Sequence, residues 1–116
     1  MKLPWWFPFG SVPELSAVEL NDRLRGRPAP QLVDVRTPAE FSQGRIRGAV
    51  NVPIGELRGR LATLKLDPAR PVVAVCLSGH RSVPAVRLLE RGGFEAAQLA
   101  GGMLAWRGAR LPEVKG

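Results

Sequence analysis

The chain has one cysteine, Cys76, and one histidine, His80. A lone cysteine excludes an internal disulfide and fits a reducing compartment, so a cytoplasmic location is expected. It also excludes a zinc site built on several thiolates, and a single histidine removes most other zinc sites, so neither metal nor cofactor is expected. Acidic residues are few, 10 against 17 lysines and arginines, for a formal charge of +7. That balance attracts anions: small oxyanions, acidic proteins or RNA. Arg23, Arg25, Arg27, Arg45, Arg47, Arg58 and Arg60 are dispersed. No lysine/arginine-rich run or nucleic-acid module signature is present, and nucleic acid is not the expected partner. No segment approaches the ~20 apolar residues of a membrane span.

The 116 residues fit one domain, and a domain of this size buries roughly two-thirds of its unfolded surface. Four of the seven aromatic residues, Trp5, Trp6, Phe7 and Phe9, fall within the first nine positions. Pro4 and Pro8 interrupt that apolar stretch and no small-residue cleavage site follows, so it reads as an extension and not as an export signal. Its aromatics are candidates for a partner or membrane-surface contact. The alternative is that they fold back over the domain itself. The expected organisation is an extension over 1–11, a domain over 12–112 and a tail over 113–116.

Prolines at 4, 8 and 13 give residues 1–13 an irregular reading. Ser16-Ala-Val-Glu19 is a capping box. A helix is predicted from Ala17 to Arg25, with Val18, Leu20 and Leu24 apolar. Gln31 to Val35 reads as a strand, and Thr37-Pro38-Ala39-Glu40 as a second capping box with proline at the first helical position, opening a helix to Gln43. Ala49 to Val52 is the next strand. Apolar residues at 54, 57, 61 and 64 predict a helix. Val72 to Val75 is continuously apolar, as in a strand covered on both faces. A helix over 82–91, a strand over 96–99 and a short helix over 103–107 complete the chain. This alternation defines an α/β domain with a mainly parallel central sheet and helices on both faces. Ligands in such sheets sit at the carboxyl ends of strands, where Asp34 and Cys76 fall.

The segment Cys76-Leu-Ser-Gly-His-Arg-Ser82 holds the densest chemistry. A thiol with the ordinary pKa of about 8.5 is only a few per cent thiolate at neutral pH. Here the cysteine precedes a helix N-terminus, which favours an anion. Gly79 lets the loop curl so that successive N–H groups point inward. Arg81 is a permanent cation able to fork onto an oxyanion. Ser82 can cap the helix or donate a hydrogen bond. His80 can add charge, take a proton or point to solvent.

This loop resembles the active-site loop of the rhodanese family of sulfurtransferases, with its Cys-x-x-Gly-x-Arg-Ser pattern. Asp34-Val-Arg-Thr-Pro-Ala-Glu-Phe41, Gly44-Arg-Ile-Arg-Gly-Ala-Val-Asn-Val-Pro53 and Gly101-Gly-Met-Leu-Ala-Trp106 resemble the family's other motifs, in order, so that the likeness covers about Val12 to Pro112. The chain is identified as a single-domain rhodanese. The resemblance implies ping-pong sulfur transfer: the Cys76 thiolate takes the outer sulfur of a donor such as thiosulfate as a persulfide, and cyanide, a thiol or an acceptor protein removes it. It makes Cys76 catalytic, Leu77, Ser78, Gly79, His80, Arg81 and Ser82 substrate-binding, and Asp34 and Arg36 supporting. A structural salt bridge between Arg36 and Glu40 is an equal expectation for Arg36. Gly101 and Gly102 are expected to allow close backbone approach and Trp106 to be core. Leu77 stands where many members carry arginine, which favours a thiol persulfide or protein donor over thiosulfate. Arg45 replaces a usual histidine and is expected to be structural or surface.

Three alternatives compete. A phosphatase or arsenate reductase would use the same kind of cradle, but related phosphatases place five residues between cysteine and arginine, and here there are four. A non-catalytic persulfide carrier or regulatory protein-binding module would dock a partner through the N-terminal aromatics. A peroxide-sensing thiol lacks a resolving cysteine.

Overall fold

The computed structural model describes residues 7–9 and 12–116. Trp5 and Trp6 lie outside the described residues, as do the side chains of Phe7 and Phe9, and with them the expected aromatic contact. The elements are β1 (Phe7–Phe9), β2 (Val12–Leu15), α1 (Ala17–Leu24), β3 (Gln31–Asp34), α2 (Pro38–Gln43), β4 (Val50–Asn51), α3 (Ile54–Arg60), β5 (Val72–Val75), α4 (Ser82–Arg91), β6 (Ala96–Leu99) and α5 (Gly102–Gly108). The strands form one sheet in the order β1-β2-β6-β5-β3-β4. The pairs from β2 to β4 are parallel, and β1 adds antiparallel at one edge.

Strand alternation divides the core into two layers. Val72 and Ala74 of β5, with Cys76 beyond it, turn toward Leu57 of α3 and Ala85, Val86 and Leu89 of α4. Val73 and Val75 turn to the other face, against Leu20 of α1 and Met103 and Trp106 of α5. All four β5 residues are buried, as a central parallel strand covered on both sides requires. This is the α/β architecture expected from the sequence.

Both capping boxes form: Ser16 and Glu19 close the start of α1, and Thr37 and Glu40 that of α2. Within α1 the buried face runs through Ala17 and Leu20 to the partly buried Leu24. Val18 lies off that stripe and is exposed, contrary to the expectation that it shares the apolar face. The helix expected over 54–64 ends at Arg60 and tightens into a 3-10 turn at Leu61–Thr63.

The region expected to be irregular contains β1 and β2. Their prolines face each other across the ladder, Pro8 opposite Pro13. Pro8 is on the outermost strand, and the pairing of β2 with β6 covers Glu14 and Leu15 only. Neither proline therefore occupies a position where the ladder needs its missing N–H.

Candidate functional site

Cys76 follows the end of β5, and its side chain is 1% exposed. The chain turns back so that the Gly79 N–H donates to Cys76 Sγ at 2.9 Å. Gly79 has φ +106°, a conformation open to glycine and strained for other residues. Ser82 is the first residue of α4, and its side chain turns inward, with Cys76 Sγ donating to Ser82 Oγ at 3.4 Å. It does not cap the helix, and no side chain caps this end of α4. The positive end of α4 thus opens onto the loop beside the sulfur. Among the described residues no protein acceptor takes the N–H groups of Ser78, His80 or Arg81. Ser78 and His80 are exposed, and Leu77 packs part-buried against the α1/α5 layer.

The other wall of the loop is the start of α5. Met103 N–H donates to the Cys76 carbonyl at 2.8 Å and Leu104 N–H to the Leu77 carbonyl at 3.0 Å. This requires backbone on backbone. A Cβ on Gly102, which has φ +58°, would collide with the Cys76 and Leu77 carbonyl oxygens. Gly102 therefore serves the close backbone approach expected of the pair, whereas Gly101, with φ +71°, has the Ala105 side chain and not a neighbouring backbone where its Cβ would stand. Trp106 is core, with its indole N–H donating to the Pro112 carbonyl at 2.8 Å.

Arg81 does not project freely from the loop. Its guanidinium grips Glu40 with two hydrogen bonds, NH1 to Oε1 at 2.6 Å and NH2 to Oε2 at 2.9 Å. Glu40 also accepts from the Thr37 N–H at 3.0 Å in its capping box. One carboxylate thus closes a helix and ties it to the loop. Arg36, in turn, pairs with Asp34 and not with Glu40, which corrects that expectation. Asp34 and Arg36 are fully buried, with NH2 to Oδ2 at 2.8 Å and Nε to Oδ1 at 2.9 Å. Arg36 also donates to the Gly44 carbonyl at 2.8 Å, which fixes the end of α2. The reason for the exchange of partners is geometric. Asp34 lies two residues from Arg36 and also accepts its backbone N–H, whereas Glu40 turns toward α4.

Several supporting residues carried no role in the sequence reading. Asn51 Nδ2 donates to the carbonyls of Asp34 (3.0 Å) and Arg36 (2.9 Å), holding the turn after β3. Gln98 accepts the Ser82 hydroxyl at 2.5 Å and donates to Glu14 at 3.2 Å. A polar residue inside the buried run Ala96–Leu99 was a usable signal for Gln98. Arg45 is structural: its guanidinium lies 4.7 Å over the Phe41 ring, and its backbone pairs with Val114.

The Arg81 hydrogen bonds hold the Glu40 carboxyl at about 2, well below its ordinary value of 4.5, against a smaller opposing effect of burial. A depressed carboxyl contributes stability that is present above pH 4.5 and lost as pH falls toward 2. Roughly a third of each side chain faces solvent (32% and 28%), which limits the contribution of the pair to about 1 kcal/mol. The pair should therefore add about 1 kcal/mol to the acid loss seen in urea titrations between pH 6 and 2. The variant Glu40→Gln, which preserves a capping-box residue, should lack this added loss. Equal pH slopes in the two proteins would show that the pair does not stabilise the fold.

This architecture and loop define a class: an α/β domain that holds a cysteine sulfur against a loop N–H at the uncapped start of a helix. The Rhodanese-like domain model matches residues 16–109, and the chain belongs to that family. It is 38% identical over 104 residues to a sulfurtransferase of Allochromatium vinosum, covering 89% of this chain and 95% of that protein. It is 33% identical over 88 residues to the thiosulfate sulfurtransferase PspE of Escherichia coli, covering 76% and 82%. An HTH-type transcriptional regulator of Mycobacterium tuberculosis is 42% identical over 104 residues, but the chain spans only 45% of its length. Among solved structures, the rhodanese-related protein of Thermoplasma volcanium superposes with a TM-score of 0.79 at 30% identity, covering 87% of this chain and 96% of that one.

Proposed function

We propose that this chain is a sulfurtransferase that moves sulfane sulfur from thiosulfate or a thiol persulfide to a thiophilic acceptor through a persulfide on Cys76. The observation that carries this reading is the Gly79 N–H donating to the Cys76 sulfur at the open end of α4. That arrangement stabilises a sulfur anion, and it does so again when the anion sits one sulfur further out. The thiolate attacks the outer sulfur of the donor. The S–S bond of the donor breaks, and its electron pair leaves with sulfite or a thiolate. The acceptor nucleophile then attacks the outer persulfide sulfur, and Cys76 regains its thiolate. The loop residues Leu77 to Ser82 bind the donor. Arg81 contributes its charge to the mouth while Glu40 fixes its place, and Asp34 and Arg36 act by holding α2, which carries Glu40.

We take residues 12–112 as the transferase unit, 1–11 as an extension and 113–116 as a tail. Among the described residues no helix is long and apolar enough to cross a membrane. The proposed setting is the cytoplasm, where a single thiol stays reduced. The absence of an arginine at position 77, where Leu77 packs against the α1/α5 layer, favours a thiol persulfide or a protein donor over thiosulfate. Steady-state kinetics with a persulfide donor and cyanide should give parallel double-reciprocal lines, the signature of a covalent carrier. Converging lines would mean that donor and acceptor bind together and would overturn the two-step scheme. The match inside a transcriptional regulator favours one second reading, a persulfide-carrying regulatory module. Such a module would load sulfur but turn over negligibly with cyanide or small thiols.

A further inference from the structure

The Cys76 sulfur is one end of a hydrogen-bond chain that leaves the loop and crosses the sheet. Cys76 Sγ donates to Ser82 Oγ (3.4 Å), the Ser82 hydroxyl donates to Gln98 Oε1 (2.5 Å), and Gln98 Nε2 donates to Glu14 Oε1 (3.2 Å). The strand register builds it. Gln98 on β6 stands beside Glu14 on β2 and beside Ala74 on β5, two residues before Cys76, so their side chains share the α4 face. Gln98 is 8% exposed, and among the described residues no buried side-chain polar atom lacks a partner.

Glu14 dictates the direction of this chain. An ionised carboxylate only accepts, so it takes the NH2 of Gln98 and turns the amide oxygen toward Ser82. That oxygen claims the one hydroxyl hydrogen of Ser82, which leaves only lone pairs for the sulfur. Ser82 can then accept from a thiol but cannot donate to a thiolate or a persulfide anion. The reverse direction needs a donor at position 14. The amide then flips, its NH2 donates to Ser82, and the Ser82 hydroxyl donates to the sulfur anion. Hydroxyl rotation and an amide flip suffice.

We propose that Glu14, Gln98 and Ser82 form a positioning relay that couples the charge on the Cys76 sulfur to the charge at position 14: an ionised Glu14 favours the thiol, and a neutral donor there favours the anion. Other charged groups lie on the loop and the elements beside it: Arg81, whose charge interacts with Cys76, the exposed His80, the Asp34–Arg36 pair at the end of β3, and Glu40 on α2, which holds Arg81. The first turns of α4 and α5 carry no acidic residue. All these groups remain in the variants that test the relay.

The test is titration of the sulfur itself. With one cysteine and no tyrosine in the chain, the absorbance rise near 240 nm on thiolate formation belongs to Cys76. In the full chain, Glu14→Gln should move the midpoint to lower pH and speed alkylation by iodoacetamide at pH 7 about three- to tenfold, the net scale of one ordinary hydrogen bond. Gln98→Met, which cuts the relay while filling the same space, should also free Ser82 and shift the midpoint the same way. In a Ser82→Ala background, Glu14→Gln should have no effect. An unchanged midpoint in both single variants would overturn the relay. So would an equal shift from Glu14→Gln with and without Ser82, which would mean the carboxylate acts through space. The inference rests on Cys76 as the reacting atom of the proposed function. Titration reads that sulfur whether or not sulfur is transferred, so the two can fail separately.

Discussion

Cys76→Ala is expected to reduce sulfur transfer to the rate of buffer, a loss of at least ~10⁴-fold, because the covalent intermediate has nowhere else to form. The chain contains no second thiol that could substitute. The replacement is gentle on the fold. Cys76 packs as a small side chain among Val35, Val52 and Ala85, and its backbone contacts to α5 use the carbonyl and not the sulfur. Unfolding by urea should therefore change by no more than about 1–1.5 kcal/mol. Activity and stability thus separate in this variant. Transfer that survives at more than a small fraction of the native rate, in a folded protein, would remove Cys76 from the chemistry. Cys76→Ser should be equally inactive, since a hydroxyl does not form the persulfide.

The second large effect lies behind the loop. Asp34→Ala is expected to destabilise the protein by about 3–5 kcal/mol, because it strands the buried Arg36 charge without its partner. Asp34 also accepts the Arg36 backbone N–H, so the turn into α2 loses an anchor as well. For a domain whose whole stability is on the order of 5–15 kcal/mol, such a loss brings it near the edge of folding. The double variant Asp34→Ala with Arg36→Met should recover part of the loss, since no charge is then left buried. Denaturant unfolding measures both. A cost below about 1 kcal/mol for Asp34→Ala would show that Arg36 finds water or another partner. The pair would then not hold α2, Glu40 and Arg81 in place.

The parts of this structure written in local patterns were legible from the chain. The apolar run Val72–Val75, both capping boxes and the glycines after β6 specify a parallel sheet and helix starts within a few residues of themselves. The cysteine loop was legible for the same reason, since Cys76, Gly79 and Ser82 meet within one turn of chain. What escaped depended on neighbours set by strand order. Pro8 and Pro13 read as breakers. Their tolerance becomes visible only once β1 and β2 are placed at the sheet edge, facing each other. Glu40 read as a cap, and its second task, holding Arg81, spans 41 positions. Gln98 and Glu14 lie 84 positions apart, and the sheet order alone makes them adjacent. Arg36 shows the opposite failure. Glu40 was an equally good local partner by sequence spacing, and burial beside Asp34 decided between them.

The most direct test is the intact mass of the protein after incubation with a glutathione persulfide and, separately, with thiosulfate. The account predicts a gain of one sulfur atom (~32 Da) on the native chain that is absent in Cys76→Ala and discharged by cyanide as thiocyanate. An unmodified mass with both donors, or a sulfur adduct that persists in Cys76→Ala, would contradict it.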